Sequence, residues 1–208
     1  MPTGILLAQL GTPDEPTTPA VRRYLEEFLL DRRVVDTSPW LWKPILYGII
    51  LRTRPKRSAA NYQRVWTDDG SPLLLYTESL ATKLGAALGS DFVVNCGMRI
   101  GNPSVGSRLD DLVAAGCERI LVLPCYPQWS TATNLSVEDA VGWWRDEHPS
   151  APETIVIGSF PDLPAYIAAL ARSVRDAGVS ATAEAPLVIS FHGIPQKYAD
   201  RGDPYPQE

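Results

Sequence analysis

The chain has 208 residues, 45% of them hydrophobic and 21% charged, with a net charge of -5 and a pI near 5.1. A polyanion binder would present a clustered basic face, and the only basic knot, residues 52–57, holds four cations in six positions, so nucleic acid is not expected as a partner. This length can bury roughly 70% of its unfolded surface, enough for one full domain and part of another. No cationic stretch followed by an apolar run opens the chain, so no signal peptide is expected. Cys96, Cys117 and Cys125 form no C-x-x-C pair and are odd in number, which predicts small buried hydrophobes in a reducing cytoplasm rather than a zinc site or a disulfide framework.

In chain order, residues 5–10 read as a strand closed by Gly11-Thr12-Pro13. Val21, Tyr24, Leu25, Phe28 and Leu29 then fall on one face of a helix with Pro19 near its start. Residues 39–51 (PWLWKPILYGIIL) are too short and too interrupted by Lys43, Pro44 and Gly48 to span a membrane. They read either as a helix buried under a lip or as an apolar rim that holds a flat ring or touches a bilayer. Helices are predicted over 56–66 and 71–88, around a turn at Asp68-Asp69-Gly70. A strand over 92–96, a helix over 105–115 ended by Gly116, a strand over 120–123 and a helix over 137–147 follow. The break at 149–152 suggests a domain boundary, giving domains of 1–150 and 151–208. The second would hold a strand over 154–157, a helix over 163–177 and a buried strand over 186–189. Alternating strands and helices argue for parallel sheets covered on both faces.

The last strand leads to Ser190-Phe191-His192-Gly193-Ile194-Pro195, placing His192 at a strand end, where open α/β sheets collect ligands. An imidazole there can take a proton or bind a metal, or merely hydrogen-bond its own loop. Residues 5–13 and 187–195 align without a gap: three apolar residues, a small one, two variable ones, then Gly-x-Pro, with Leu10 in the place of His192. Two similar α/β units with facing strand ends are expected from that echo.

The run SFHGIP, with GDPY beginning ten residues after His192, resembles the ferrochelatase family. Residues 4–14 (GILLAQLGTPD), 70–73 (GSPL), 98–103 (MRIGNP) and 123–128 (LPCYPQ) agree with it in order, and the similarity runs through the whole chain. The resemblance implies a chelatase-like α/β fold of two parallel-sheet units with helices on both faces, the second incomplete here, because the family's chains continue further. It implies an enzyme of haem biosynthesis that inserts ferrous iron into protoporphyrin or coproporphyrin, iron being a substrate and no cofactor being permanently bound. By the same resemblance His192 is the iron-contacting base, and the family's second iron-site group, a glutamate in its C-terminal part, has no match. Asp203 is the nearest carboxylate in sequence and reads better as a turn cap.

Tyr62, Ser71 and Arg99 match positions that resemble the family's porphyrin contacts, and Tyr126, Gln128, Trp129 and Ser130 would line the same crevice. Each has a plainer reading: Arg99 as a surface salt bridge, Ser71 as a helix N-cap, Tyr62 as core, and the 126–130 group as an aromatic cluster under a loop. Leu10 stands where some members carry a metal-reaching tyrosine, so that contact is expected to be absent. The implied partners are porphyrin and ferrous iron, with no nucleic acid, in the cytoplasm, and with a peripheral membrane contact through residues 39–51. A noncatalytic porphyrin-binding fragment or carrier is the alternative. A flavodoxin-like nucleotide binder is a third, though no strand is followed by a G-x-G-x-x-G or P-loop pattern.

Overall fold

Strand β1 (Thr3–Thr12) is apolar without alternation because both of its faces are covered and both of its edges are paired. It runs parallel to β2 (Phe92–Gly101) on one side and to β3 (Arg119–Pro124) on the other. With β4 (Glu153–Val156) beside β3, the sheet order is β2-β1-β3-β4, all parallel. The computed structural model describes residues 1–179 and 186–208. It divides into two units, Met1–Tyr126 with Thr131–Gly158, and Pro127–Ser130 with Ser159–Glu208.

In the first unit, Leu6 and Ala8 point to one face, where they meet Leu109 and Leu112 of α5 (Val105–Ala114) and Val137, Val141 and Trp144 of α6 (Asn134–Glu147). Ile5 and Leu7 point to the other face, against Leu74, Ala81 and Leu84 of α4 (Pro72–Leu88). A third cluster gathers Val21, Tyr24, Leu25 and Leu29 of α1 (Thr18–Leu30), Leu51 and Ala59 of α3 (Leu51–Val65), and Ile100 of β2. Each of these α1 residues falls on the face that periodicity predicts, and Thr17 caps the helix by accepting from the Ala20 N–H.

At Gly11, whose φ is +126°, a Cβ would lie 1.8 Å from the Ile100 carbonyl oxygen of β2. Only glycine fits there, on both conformational and steric grounds.

Three elements differ from expectation. Residues 39–65 form one helical run, α2 (Pro39–Ile45), a π-helical stretch (Leu46–Ile50) and α3, with Pro44 and Pro55 inside it rather than ending it. A π-helical widening gives the ladder the slack that prolines otherwise break. The run is not buried under a lip: α2 has no buried residue, and Trp40 is 90% exposed. Residues 153–156, expected to open a second domain, instead form the fourth strand of the first sheet, because the ladder of β3 is open to them.

In the second unit, α7 (Pro164–Asp176) buries none of its residues, and α8 (Gln196–Ala199) follows His192. The strand expected over 186–189 is not formed. These residues are exposed, Val188 at 82%, and among the described residues no strand takes their ladder hydrogen bonds, without which an extended run is not a strand.

Gly11→Ala is expected to lower the unfolding free energy by at least about 3 kcal/mol, since positive φ and backbone overlap add. Chemical denaturation of the two proteins measures it.

Candidate functional site

The chain crosses from β1 to β2 in one direction and from β2 to β3 in the other, so the carboxyl ends of β1 and β3 flank a topological switch point. Crevices that bind ligands form at such points. At the end of β1, Thr12 Oγ1 and Ser71 Oγ lie 2.8 Å apart, both buried. Ser71 occupies the N-cap position of α4 but makes no side-chain cap bond, its hydroxyl being turned to Thr12. The pair opens on a cavity of about 490 Å³, with Trp66, Leu74 and Leu75 as its apolar wall and Asp14, Asp69 and Glu78 at its polar side.

Tyr62 stands beside this wall in a chain of rings. It packs edge-on to Tyr24 at 6.2 Å and to Trp66 at 6.1 Å, and Tyr24 in turn stacks on Phe28. The Tyr24 hydroxyl donates to the Gly11 carbonyl at 3.2 Å, which locks this ring onto the β1 turn. Burial pushes both phenols up, more strongly for Tyr24, which also faces Tyr62 and Glu27. Tyr62 is half-buried in this aromatic wall, as its core reading expects.

Past β3, the Cys125 N–H extends the ladder to the Ala8 carbonyl, and Tyr126 follows. Among the described residues, buried Tyr126 Oη has no partner at hydrogen-bond geometry. Burial drives its phenol far up, Cys125 and Tyr24 adding to this and the Leu10 backbone opposing it. Burial likewise pushes the Cys125 thiol up to about 11, with Cys96 adding to it.

Arg99 does not reach the Ser71 cavity. Its Nη2 donates to Asp31 Oδ2 at 2.9 Å and its Nε to the Ser136 carbonyl at 2.8 Å, and its guanidinium lies 5.3 Å from the Trp143 ring centre. The side chains of Arg99 and Asp31 are 10% and 4% exposed, so this is a buried ion pair rather than the surface bridge of the plainer reading. Asp31 also accepts from Ser136 Oγ and the Arg33 N–H, while Arg33 forks onto Asp139 at 2.6 and 3.1 Å. The pairs line a separate cavity of about 590 Å³.

The remaining candidates belong to the second unit. Gln128 and Trp129 are half-buried, and Ser130 donates to the buried Asp203 at 3.1 Å. Asp203 also accepts from the Tyr205 N–H two residues on, which closes the GDPY turn as a capping role requires. His192 is exposed, in the stretch without regular secondary structure before α8.

The ferrochelatase family model matches residues 2–208. The chain belongs to the ferrochelatase family. Ferrochelatase 1 of Shewanella oneidensis is 50% identical over 99% of this chain and 63% of its own length. The ferrochelatase of Stenotrophomonas maltophilia is likewise 50% identical over 99% and 63%, and that of Xanthomonas axonopodis 49% over 99% and 64%. The chain thus spans a little under two thirds of these curated ferrochelatases.

Within this ferrochelatase-family chain, sequence reasoning passed over Thr12, Tyr24 and Asp31, the partners of Ser71, Tyr62 and Arg99. Thr12 lay inside the Gly-Thr-Pro turn already singled out, but its hydroxyl contact spans 59 residues and leaves no local mark. Asp31, directly after an apolar helix, reads as an ordinary polar end.

Arg99→Ala leaves the Asp31 carboxylate buried without its cation and is expected to cost about 3–5 kcal/mol, against at most about 1 kcal/mol for a surface pair. Urea denaturation distinguishes the two. Cys125, moved from 9 to about 11, should react with iodoacetamide at pH 8 about 100-fold more slowly than an ordinary thiol. Its stabilising effect is full below pH 9 and is lost as the pH rises through about 11, which alkaline denaturation compared with Cys125→Ala reads out.

Proposed function

We propose that this chain serves the insertion of ferrous iron into a porphyrin, protoporphyrin or coproporphyrin, in haem biosynthesis, with His192 as the iron-contacting base. The observation that carries the reading is the family match from residue 2 to residue 208, which takes in the SFHGIP run around His192. Insertion requires removing two pyrrole protons, stripping water from the ion, and bending a stiff ring so that its nitrogen lone pairs face the metal. An apolar slot can spend binding energy on that bend. A neutral imidazole can accept a pyrrole proton near neutral pH and suits ferrous iron as a ligand. Iron is a substrate in this scheme, and no permanently bound cofactor is required.

For the ring, the wall of Tyr62, Trp66, Leu74 and Leu75 offers stacking area, and the Thr12–Ser71 pair, one proton of which joins the two hydroxyls, leaves the other to donate to a propionate. Tyr126, whose buried hydroxyl has no partner among the described residues, is a further proposed porphyrin contact of the first unit, and Gln128, Trp129 and Ser130 are proposed contacts of the second. Arg99 contributes as a positioning residue, its charge being committed to Asp31. No helix among the described residues is long and apolar enough to cross a membrane. The exposed apolar residues of α2 form a rim that meets the bilayer in which such rings dissolve, as expected of a peripheral protein at the cytoplasmic side.

A second reading, porphyrin binding without insertion, is favoured by one observation: Tyr62, Ser71 and Tyr126 lie in the first unit and His192 in the second, so binding can exist apart from the base.

Mixing ferrous iron and porphyrin with the protein and following the visible spectrum separates the two. His192→Ala is expected to slow insertion by about 100-fold or more while changing porphyrin affinity less than about twofold. Porphyrin binding with no insertion by the unsubstituted protein leaves only the carrier, and an alanine variant with full activity removes His192 from the reaction.

A further inference from the structure

We infer that Asp203 is a positioning residue for the ring: through the Ser130 hydroxyl it holds the loop of residues 127–130 in the conformation that presents Gln128 and Trp129 to a porphyrin. This rests on the porphyrin reading above and adds what the GDPY run contributes to it.

The loop is short and is fastened along its length. The Phe160 N–H donates to the Pro127 carbonyl at 2.8 Å, the Trp129 N–H donates to Glu208 Oε2 at 2.7 Å, and Ser130 Oγ donates to Asp203 Oδ2 at 3.1 Å. Glu208 is itself held, accepting from the Ser159 hydroxyl at 2.9 Å. The fastening at Ser130 lies deep, Ser130 being 3% and Asp203 4% exposed. Gln128 and Trp129, next to it in the chain, are only half-buried and keep surface for a ligand.

Closing the GDPY turn uses one carboxylate oxygen of Asp203, Oδ1, which accepts from the Tyr205 N–H at 3.1 Å. The Asp203 N–H donates to the carbonyl of Tyr198, the buried residue of α8, at 3.0 Å, so the turn is anchored on that side as well. A capping role needs no more than this. The second oxygen, Oδ2, is given to a residue 73 positions away, which a turn cap does not explain. Removing either partner leaves a buried polar atom short of that bond, at a cost that keeps such a contact in place.

The same bond decides how Ser130 acts. A hydroxyl has one proton, here given to Asp203, and a propionate carboxylate only accepts. Ser130 therefore serves the ring by supporting the loop rather than by donating to it. Side chains that recognise a ligand keep their geometry only when the residues behind them are fixed, and misplacement by about 1 Å can cost about a hundredfold.

The test compares the whole chain with Ser130→Ala, Asp203→Ala and the double variant, at a temperature where urea curves show each folded. Porphyrin affinity is read from the Soret band, and amide hydrogen exchange is followed at Trp129. Each single replacement should weaken binding about tenfold and speed Trp129 exchange at least about tenfold, and the pair should add no more than about twofold to either. Loss of affinity in Ser130→Ala with Trp129 exchange unchanged makes Ser130 a direct contact and overturns the proposal, as do losses that multiply in the double variant. Full affinity in Ser130→Ala overturns it too, leaving the bond to structure alone. Should Asp203→Ala fail to fold, the two readouts on Ser130→Ala decide by themselves. Absence of porphyrin binding by the unsubstituted protein overturns the porphyrin reading and with it the loop's role toward a ring, while exchange at Trp129 still shows whether the tether itself stands.

Discussion

The carboxyl edge of the first sheet depends on how closely β1 and β2 approach at Gly11. With the Ile100 carbonyl where a side chain would begin, the two strands can extend to Thr12 and Gly101 in register, and the Tyr24 hydroxyl can reach the Gly11 carbonyl. Thr12 is thereby delivered, buried, to Ser71 at the head of α4. A larger residue at position 11 would force the strands apart and displace the hydroxyl pair, the aromatic chain and the cavity they bound. One missing methyl group thus fixes the placement of side chains that are far apart in sequence.

A second anchor works by charge. Arg99 and Asp31 are both removed from water, a cost returned only when every polar atom finds a partner. Here the Ser136 carbonyl and hydroxyl and the Arg33 N–H complete the set, tying the end of β2 to the end of α1 and the start of α6. Arg99 is therefore committed to holding these elements together, as a buried ion pair rather than a surface bridge.

The legibility of this structure in its sequence followed the range of the interactions. The apolar runs of β1 and β3 and the helical stripe of α1 are local patterns, and the parallel sheet covered on both faces follows from them. The turn glycines were visible as punctuation, though the steric demand at Gly11 comes from a strand about ninety residues away. Prolines 44 and 55 misled, because their usual effect on helices is absorbed by the π-helical stretch between them. Residues 153–156 misled for a different reason. A short apolar strand carries no label saying which sheet it joins, and an open edge on β3 decided it. Of the candidate site, the residue types were legible and their partners were not, since Thr12, Asp31 and Tyr24 are reached only through the fold.

The contrast between the two units has a single physical cause. The first closes three apolar clusters around a paired central strand, so its cavity and its hydroxyl pair are held by interactions within the unit. In the second, α7 leaves Ile167 and Leu170 about half exposed, and Leu187, Val188, Ile189 and Phe191 are exposed in a run outside any strand among the described residues. A parallel strand gains its stability from a neighbour on the ladder and a helix across its face, and among the described residues neither reaches this run. His192 hangs from that run. The run that carries His192 is therefore held by fewer contacts among the described residues than the hydroxyl pair at the end of β1.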